Sequence, residues 1–142
     1  MTAAATTIGD AIVSQYQAAF STLSVSRVYV PTWNLDLLDG QQILQIAPNG
    51  QEIDLASRGG GAVVKYKYLV ALGAKVADTT TDALDPYADL LESLMDFWLD
   101  KTITGRQERA VEWELQTWPD IEQARTKSMF LGVFEITFLG TR

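Results

Sequence analysis

The 142 residues include no histidine and no cysteine, which excludes a histidine general base, a cysteine nucleophile, a disulfide framework and a zinc site of nitrogen and sulfur ligands. With 18 acidic against 11 basic side chains the net charge is −7, the wrong sign for a general nucleic-acid binder, which needs cations to neutralise phosphates. The length fits one domain over 1–142 with a real core and a short flexible N-terminus at 1–6; no apolar run approaches the ~20 residues that span a bilayer, and the first residues lack the basic n-region of a signal peptide, so the expectation is a soluble intracellular domain.

In chain order, Ile8, Ile12, Tyr16, Ala19, Phe20 and Leu23 recur at three- and four-residue spacing and predict a first helix with one apolar stripe. Thr6, Thr7 and Asp10 supply the oxygen side chains expected near its start. Residues 25–30 are β-branched and aromatic and run into Pro31, predicting a strand; 31–40 reads as a loop carrying Trp33 and a turn at Asp39-Gly40. Segments 43–47 and 52–55 flank Pro48-Asn49-Gly50. Asn-Gly tolerates the positive φ of tight turns, which predicts either a hairpin or a strand with a trailing arm.

The segment after it is the most informative. A polar turn, Ala56-Ser57-Arg58-Gly59-Gly60-Gly61, leads into a strand over 62–73. Strand side chains alternate faces, so Val64, Tyr66, Tyr68, Val70 and Leu72 form an apolar face, and Val63, Lys65, Lys67, Leu69 and Ala71 form the other. One face suits a helix layer and the other is half exposed. A threonine-rich linker at 78–82 follows. Asp85-Pro86 reads as an N-cap with proline at the first helical position, opening a helix whose Tyr87, Leu90, Leu91, Leu94 and Trp98 must bury against the sheet. Residues 111–118 alternate Val111, Trp113, Leu115 with Glu112, Glu114, Gln116; 120–128 is polar; and 130–139 closes the chain as a strand with Phe130, Phe134, Ile136 and Phe138 on one face. The fold class expected is α+β: a largely antiparallel or mixed sheet of four to five strands with two main helices on one face.

Chemistry-bearing patterns are few. Gly59-Gly60-Gly61 precedes a strand rather than a helix and lacks a Lys-Ser/Thr, so a flexible connector is favoured over a phosphate loop. Carboxylates pair at Glu112/Glu114, Asp82/Asp85, Asp36/Asp39 and Glu92/Asp96. Glu112 and Glu114 share a strand face and make the best candidate for magnesium or calcium, or for acid–base work, but alternation with Val111, Trp113 and Leu115 reads more simply as a wet face. No Gly-x-Ser-x-Gly elbow or Ser-x-x-Lys helix exists. Trp98 and Trp113 fall in the core by periodicity. Trp33 and Trp118 stand beside prolines, each either a lid on the core or an interface anchor. Arg125 and Lys127 read as solvated, with pairing to a neighbour's acids as the alternative.

Taken together, the segments resemble the small tail-terminator and neck proteins of long-tailed bacteriophages, the head-tail joining or tail-completion proteins. The likeness rests on an N-terminal helix ending Ala18-Ala19-Phe20, then Arg27-Val28-Tyr29-Val30-Pro31 and an acidic Asp36-Leu37-x-x-Asp39 loop. It continues through Ile43-Leu44-Gln45-Ile46-Ala47-Pro48, Ser57-Arg58-Gly59 before the long strand, a helix over 85–97, and Phe130, Phe134, Ile136 and Phe138 in the closing strand. The resemblance implies a structural virion protein without catalytic residues, cofactor or metal: a ring, six subunits round, at the head-proximal end of the tail, joined to the tail tube protein and the head-to-tail connector. The resemblance further implies a subunit made in the bacterial cytoplasm and resident in the virion, with no membrane contact, and a channel through which DNA passes unbound, its passage eased by an acidic lining. The candidate subunit interface is Arg58, Gly59, Gly60, Gly61, Lys65 and Lys67, with Trp33, Trp118, Arg125 and Lys127. The alternatives are a capsid accessory or head-closure protein and, from another class, a metal-dependent enzyme using Glu112 and Glu114.

Overall fold

A computed structural model describes residues 3–31, 42–55, 61–76, 81–117 and 129–141. The described elements are α1 (Ala4–Ala19), β1 (Leu23–Arg27), β2 (Gln42–Leu55), β3 (Ala62–Lys75), α2 (Thr81–Asp96), β4 (Arg109–Thr117) and β5 (Met129–Thr141). The strands make one mixed sheet in the order β1-β2-β3-β5-β4, with β1 parallel to β2 and every other pair antiparallel. The fold is α+β, with five strands and two helices.

The period-two pattern of β3 sets the layers. Val64, Tyr66, Tyr68, Val70 and Leu72 are all buried, and their register partners on β5 include Phe138, Ile136, Phe134 and Gly132. Both helices cover this face. The Tyr68 hydroxyl donates to the Ala5 carbonyl of α1 at 2.6 Å, and Tyr87 of α2 stacks on Phe130 at 5.6 Å. Two glycines permit the close approach. A Cβ on Gly9 would lie 2.9 Å from the Arg27 Cδ, and one on Gly132 only 2.4 Å from the Leu91 side chain. Between the helices Tyr16, Phe97, Trp98 and Phe138 form an aromatic cluster, with Trp98 edge-on to Phe97 at 4.9 Å and to Phe138 at 5.1 Å.

The end of α2 is tied down by other elements. The last four carbonyls of a helix lack partners inside it. Here Ser93 and Asp96 receive the backbone amides of Phe97 and Leu99, each at 3.0 Å. Leu94 receives the Tyr16 hydroxyl at 2.7 Å, and Met95 receives the Trp113 indole N–H at 2.9 Å. Burial holds the Tyr16 phenol protonated, its pKa pushed far above the usual tyrosine value.

Five expectations need correction. First, α1 begins at Ala4, so 4–6 are helical rather than part of a flexible tail. Its N-cap is Ala3, without a side-chain cap; Thr7 instead bonds back to the Ala3 carbonyl at 3.3 Å. Second, Leu23 belongs to β1, which starts earlier and ends at Arg27, leaving Tyr29 and Val30 outside the strand. Third, Pro48-Asn49-Gly50 does not turn the chain. β2 runs straight through it against β3, with a bulge between Pro48 and Gln51 that absorbs the positive φ of Gly50, +115°. Fourth, α2 starts at Thr81, placing Asp85 and Pro86 inside it. The N–H missing at Pro86 would have served Asp82, an exposed first-turn residue whose carbonyl water can reach. Fifth, Val111 falls at a bulge where Phe138 pairs with Ala110 and Thr137 with Glu112, which removes it from the row of Trp113 and Leu115.

Candidate interface surface

The face of the sheet away from the helices carries the other half of β3: Val63, Lys65, Lys67, Leu69 and Ala71. Alternation along β2, β4 and β5 brings Glu52 and Asp54, Glu112 and Glu114, and Glu135 and Thr137 onto the same face, since Glu52 pairs with Lys65, Glu112 with Thr137 and Glu114 with Glu135. Both lysines are engaged within the sheet. Lys67 Nζ lies 2.9 Å from Glu52 Oε1, and Lys65 Nζ lies 3.3 Å from Glu112 Oε1. The hydrogen bond from Lys67 holds the Glu52 carboxyl below its ordinary range, and Glu52 raises Lys67 in return. Such exposed pairs add little stability, so their main effect is to fix the orientation of the side chains.

Charge on this face is lopsided. Glu114 sits directly opposite Glu135, and like charges in that position repel. Glu135 accepts a hydrogen bond from the Asn49 amide, a contact that holds the bulged segment of β2 over β5. Val111, Glu112, Trp113, Glu114, Glu135 and Thr137 line a shallow cleft of about 450 Å³. Glu112 and Glu114 thus share a face as expected, with Glu112 turned towards Lys65. Among the described residues, no group of three or more histidine, cysteine or carboxylate side chains is placed to hold a metal ion.

Of the interface candidates, Lys65 and Lys67 lie together on the face that neither described helix covers. Gly61 precedes β3 with a φ of +96°, a conformation that favours glycine. Arg58, Gly59, Gly60, Trp33, Trp118, Arg125 and Lys127 lie outside the described residues, as do Asp36 and Asp39. Trp98 is fully buried, and among the described residues its indole N–H has no hydrogen-bond partner. Trp113 is half-buried.

Periodicity gave no sign of two further features. Glu108 is almost fully buried, its carboxylate gripped by the Arg106 guanidinium at 2.7–3.1 Å. Burial pushes the Glu108 carboxyl up, but the hydrogen bonds from Arg106 and from nearby backbone amides outweigh it and leave the group below its ordinary range. A cleft of about 500 Å³ adjoins this pair, yet the carboxylate is committed to Arg106. Only the Arg106-x-Glu108 spacing could have signalled it. The second feature is three exposed apolar side chains on the β1 side of the sheet: Tyr29 and Val30, past the end of β1, at 70% and Ile53, on β2, at 53%. Arg27, paired with Asp10 at 2.7 Å, lies 5.4 Å from the Tyr29 ring centre.

No protein-family model matches the chain, and no curated protein matches it either.

Proposed function

We propose that this protein is a structural subunit of a tailed-bacteriophage neck, a tail terminator that assembles as a ring of six at the head-proximal end of the tail and joins it to the head connector. The observation that carries this reading is the one-sided sheet. Among the described residues both helices pack on one face; the other presents acidic side chains interleaved with half-buried Leu69, Leu131, Val133 and Leu139, and Ala47, Ala71 and Met129 are buried on it. Partly buried apolar residues interleaved with polar ones on a broad sheet face suit docking on another protein. The strong side-chain interactions among the described residues also have structural explanations: Tyr16 and Tyr68 lock the helices to each other and to the sheet, Arg106 neutralises Glu108, and the lysines of β3 bridge neighbouring strands. At −7 per subunit, a closed ring lines its channel with negative charge, which lets DNA pass without gripping it.

Immunogold electron microscopy of virions from a lysate in which the chain is expressed tests the proposal. Label confined to the head–tail junction is the expected result. Label along the capsid or at the distal tail tip, or particles without label, overturns it.

A further inference from the structure

We propose that Asn49 is a modification site, where the side-chain amide converts spontaneously to a carboxylate and thereby unties β2 from β5. Asn49 is followed by glycine, and both residues are exposed. The register of β2 against β3 jumps from Pro48 opposite Tyr68 to Gln51 opposite Tyr66, so Asn49 and Gly50 stand outside the ladder at the bulge. Asparagine is chemically labile where the next backbone nitrogen can reach its side-chain carbonyl carbon. Glycine, with no Cβ, leaves that approach open, and Gly50 also holds a φ of +115° that other residues resist. The Gly50 nitrogen bonds to the Asn49 Cγ, the Cγ–Nδ2 bond breaks, and the amide nitrogen leaves as ammonia, carrying the proton lost by Gly50. Solvent water then opens the cyclic imide at either carbonyl, giving aspartate or its β-linked isomer. No electrons change hands, and no other reagent is needed.

The surroundings of Asn49 give the conversion a consequence. Its Nδ2 donates to Glu135 Oε2 across the face that neither described helix covers. The direction of that bond is fixed, because an ionised carboxylate only accepts. A carboxylate at position 49 has no proton to give. It sets two acidic groups in contact where a hydrogen bond stood, beside Glu114, which already faces Glu135 from β4. Lys67 stands opposite the bulge on β3 and feels the charge of Glu135, but its ammonium is bonded to Glu52 at 2.9 Å. The β-linked isomer also adds a carbon to the main chain at the bulge. Either product adds one negative charge to the −7 of the chain. This inference stands apart from the virion reading, because it concerns one side chain and the neighbour it binds.

The test holds the whole folded protein at mildly alkaline pH and follows its asparagines by peptide mapping with mass spectrometry. Asn34, which precedes the bulkier Leu35, is the internal reference. Conversion at Asn49 several-fold faster than at Asn34, to a mixture of aspartate and its β-linked isomer, is expected. Asn49→Gln, whose longer side chain closes the ring far more slowly, should suppress it. Thermal melts test the consequence. Asn49→Asp, which reproduces one product, should melt below the parent. Glu135→Gln should raise the melting temperature more in the Asn49→Asp background than in the parent, because a glutamine amide can donate to the new carboxylate. Conversion at Asn49 no faster than at Asn34 overturns the proposal. So does an Asn49→Asp variant that melts with the parent, or an equal effect of Glu135→Gln in the two backgrounds.

Discussion

Replacing Tyr16 by Phe removes one oxygen atom and leaves the ring in place. The hydroxyl that disappears is the donor to the Leu94 carbonyl, at 2.7 Å and out of reach of solvent. An average hydrogen bond contributes about 1 kcal/mol net, but a buried carbonyl left without a donor costs roughly 1–3 kcal/mol. Leu94 is itself fully buried, so water does not replace the lost donor and that range applies in full. For a chain of this size that corresponds to a fall in Tm of about 3–10 °C. Trp113→Phe supplies the contrast. It deletes the neighbouring bond, to the Met95 carbonyl, but Trp113 is half-buried and water can replace the lost donor. Its hydrogen-bond cost should be about 0.5–1.5 kcal/mol. Urea unfolding followed by circular dichroism measures both, with the slope m unchanged if only the folded state is affected. Should Tyr16→Phe cost no more than Trp113→Phe, or less than about 0.5 kcal/mol, burial is not what makes the Leu94 bond matter.

Other consequences can be checked in the same assay. Leu94→Ala and Phe134→Ala each empty a fully buried position and should cost about 2–5 kcal/mol, and unchanged midpoints would show that these faces are not packed. Gly132→Val forces side-chain atoms into the space held by Leu91 and should cost about 1–3 kcal/mol, whereas wild-type stability would mean that Leu91 moves aside freely. The depressed carboxyl of Glu108 contributes stability that is complete at neutral pH and is lost as pH falls through its folded-state value, below the usual carboxylate range. Glu108→Gln should therefore lower the neutral-pH midpoint and flatten the acid limb of the stability curve; an acid limb identical to the parent's would assign the loss to other carboxylates.

The parts legible in the sequence are those where a single period persists. β3 and β5 keep strict alternation across the sheet interior, so Val64 to Leu72 and Phe130 to Phe138 could be assigned to the helix face from spacing alone. Leu91, Leu94 and Trp98 were legible for the same reason, at helical spacing. The misreadings arose where one local signal has two structural solutions. Asn-Gly permits positive φ, which serves a bulge in a continuing strand as well as a hairpin, and only the unbroken pairing of β2 with β3 decides between them. Pro86 fits a first turn, but an exposed position one turn further in is tolerated as well. The bulge at Val111 leaves no trace in an alternating string. Of the candidate surface, the lysine row was legible, but its pairing with Glu52 and Glu112 was not: those partners come from other strands, Glu52 15 residues from Lys67 and Glu112 47 residues from Lys65, and register rather than pattern brings them together.

The strand order has a consequence for how the chain can be made. β5 is last along the sequence but lies inside the sheet, between β3 and β4. While it is unsynthesised, β3 keeps an open edge and β4 has no neighbour in the sheet at all. A ribosome-bound chain can therefore assemble α1 with β1, β2 and β3, but its sheet cannot close before residues 129–141 have cleared the exit tunnel. Loss of those residues would split the sheet through its interior and leave β4 detached.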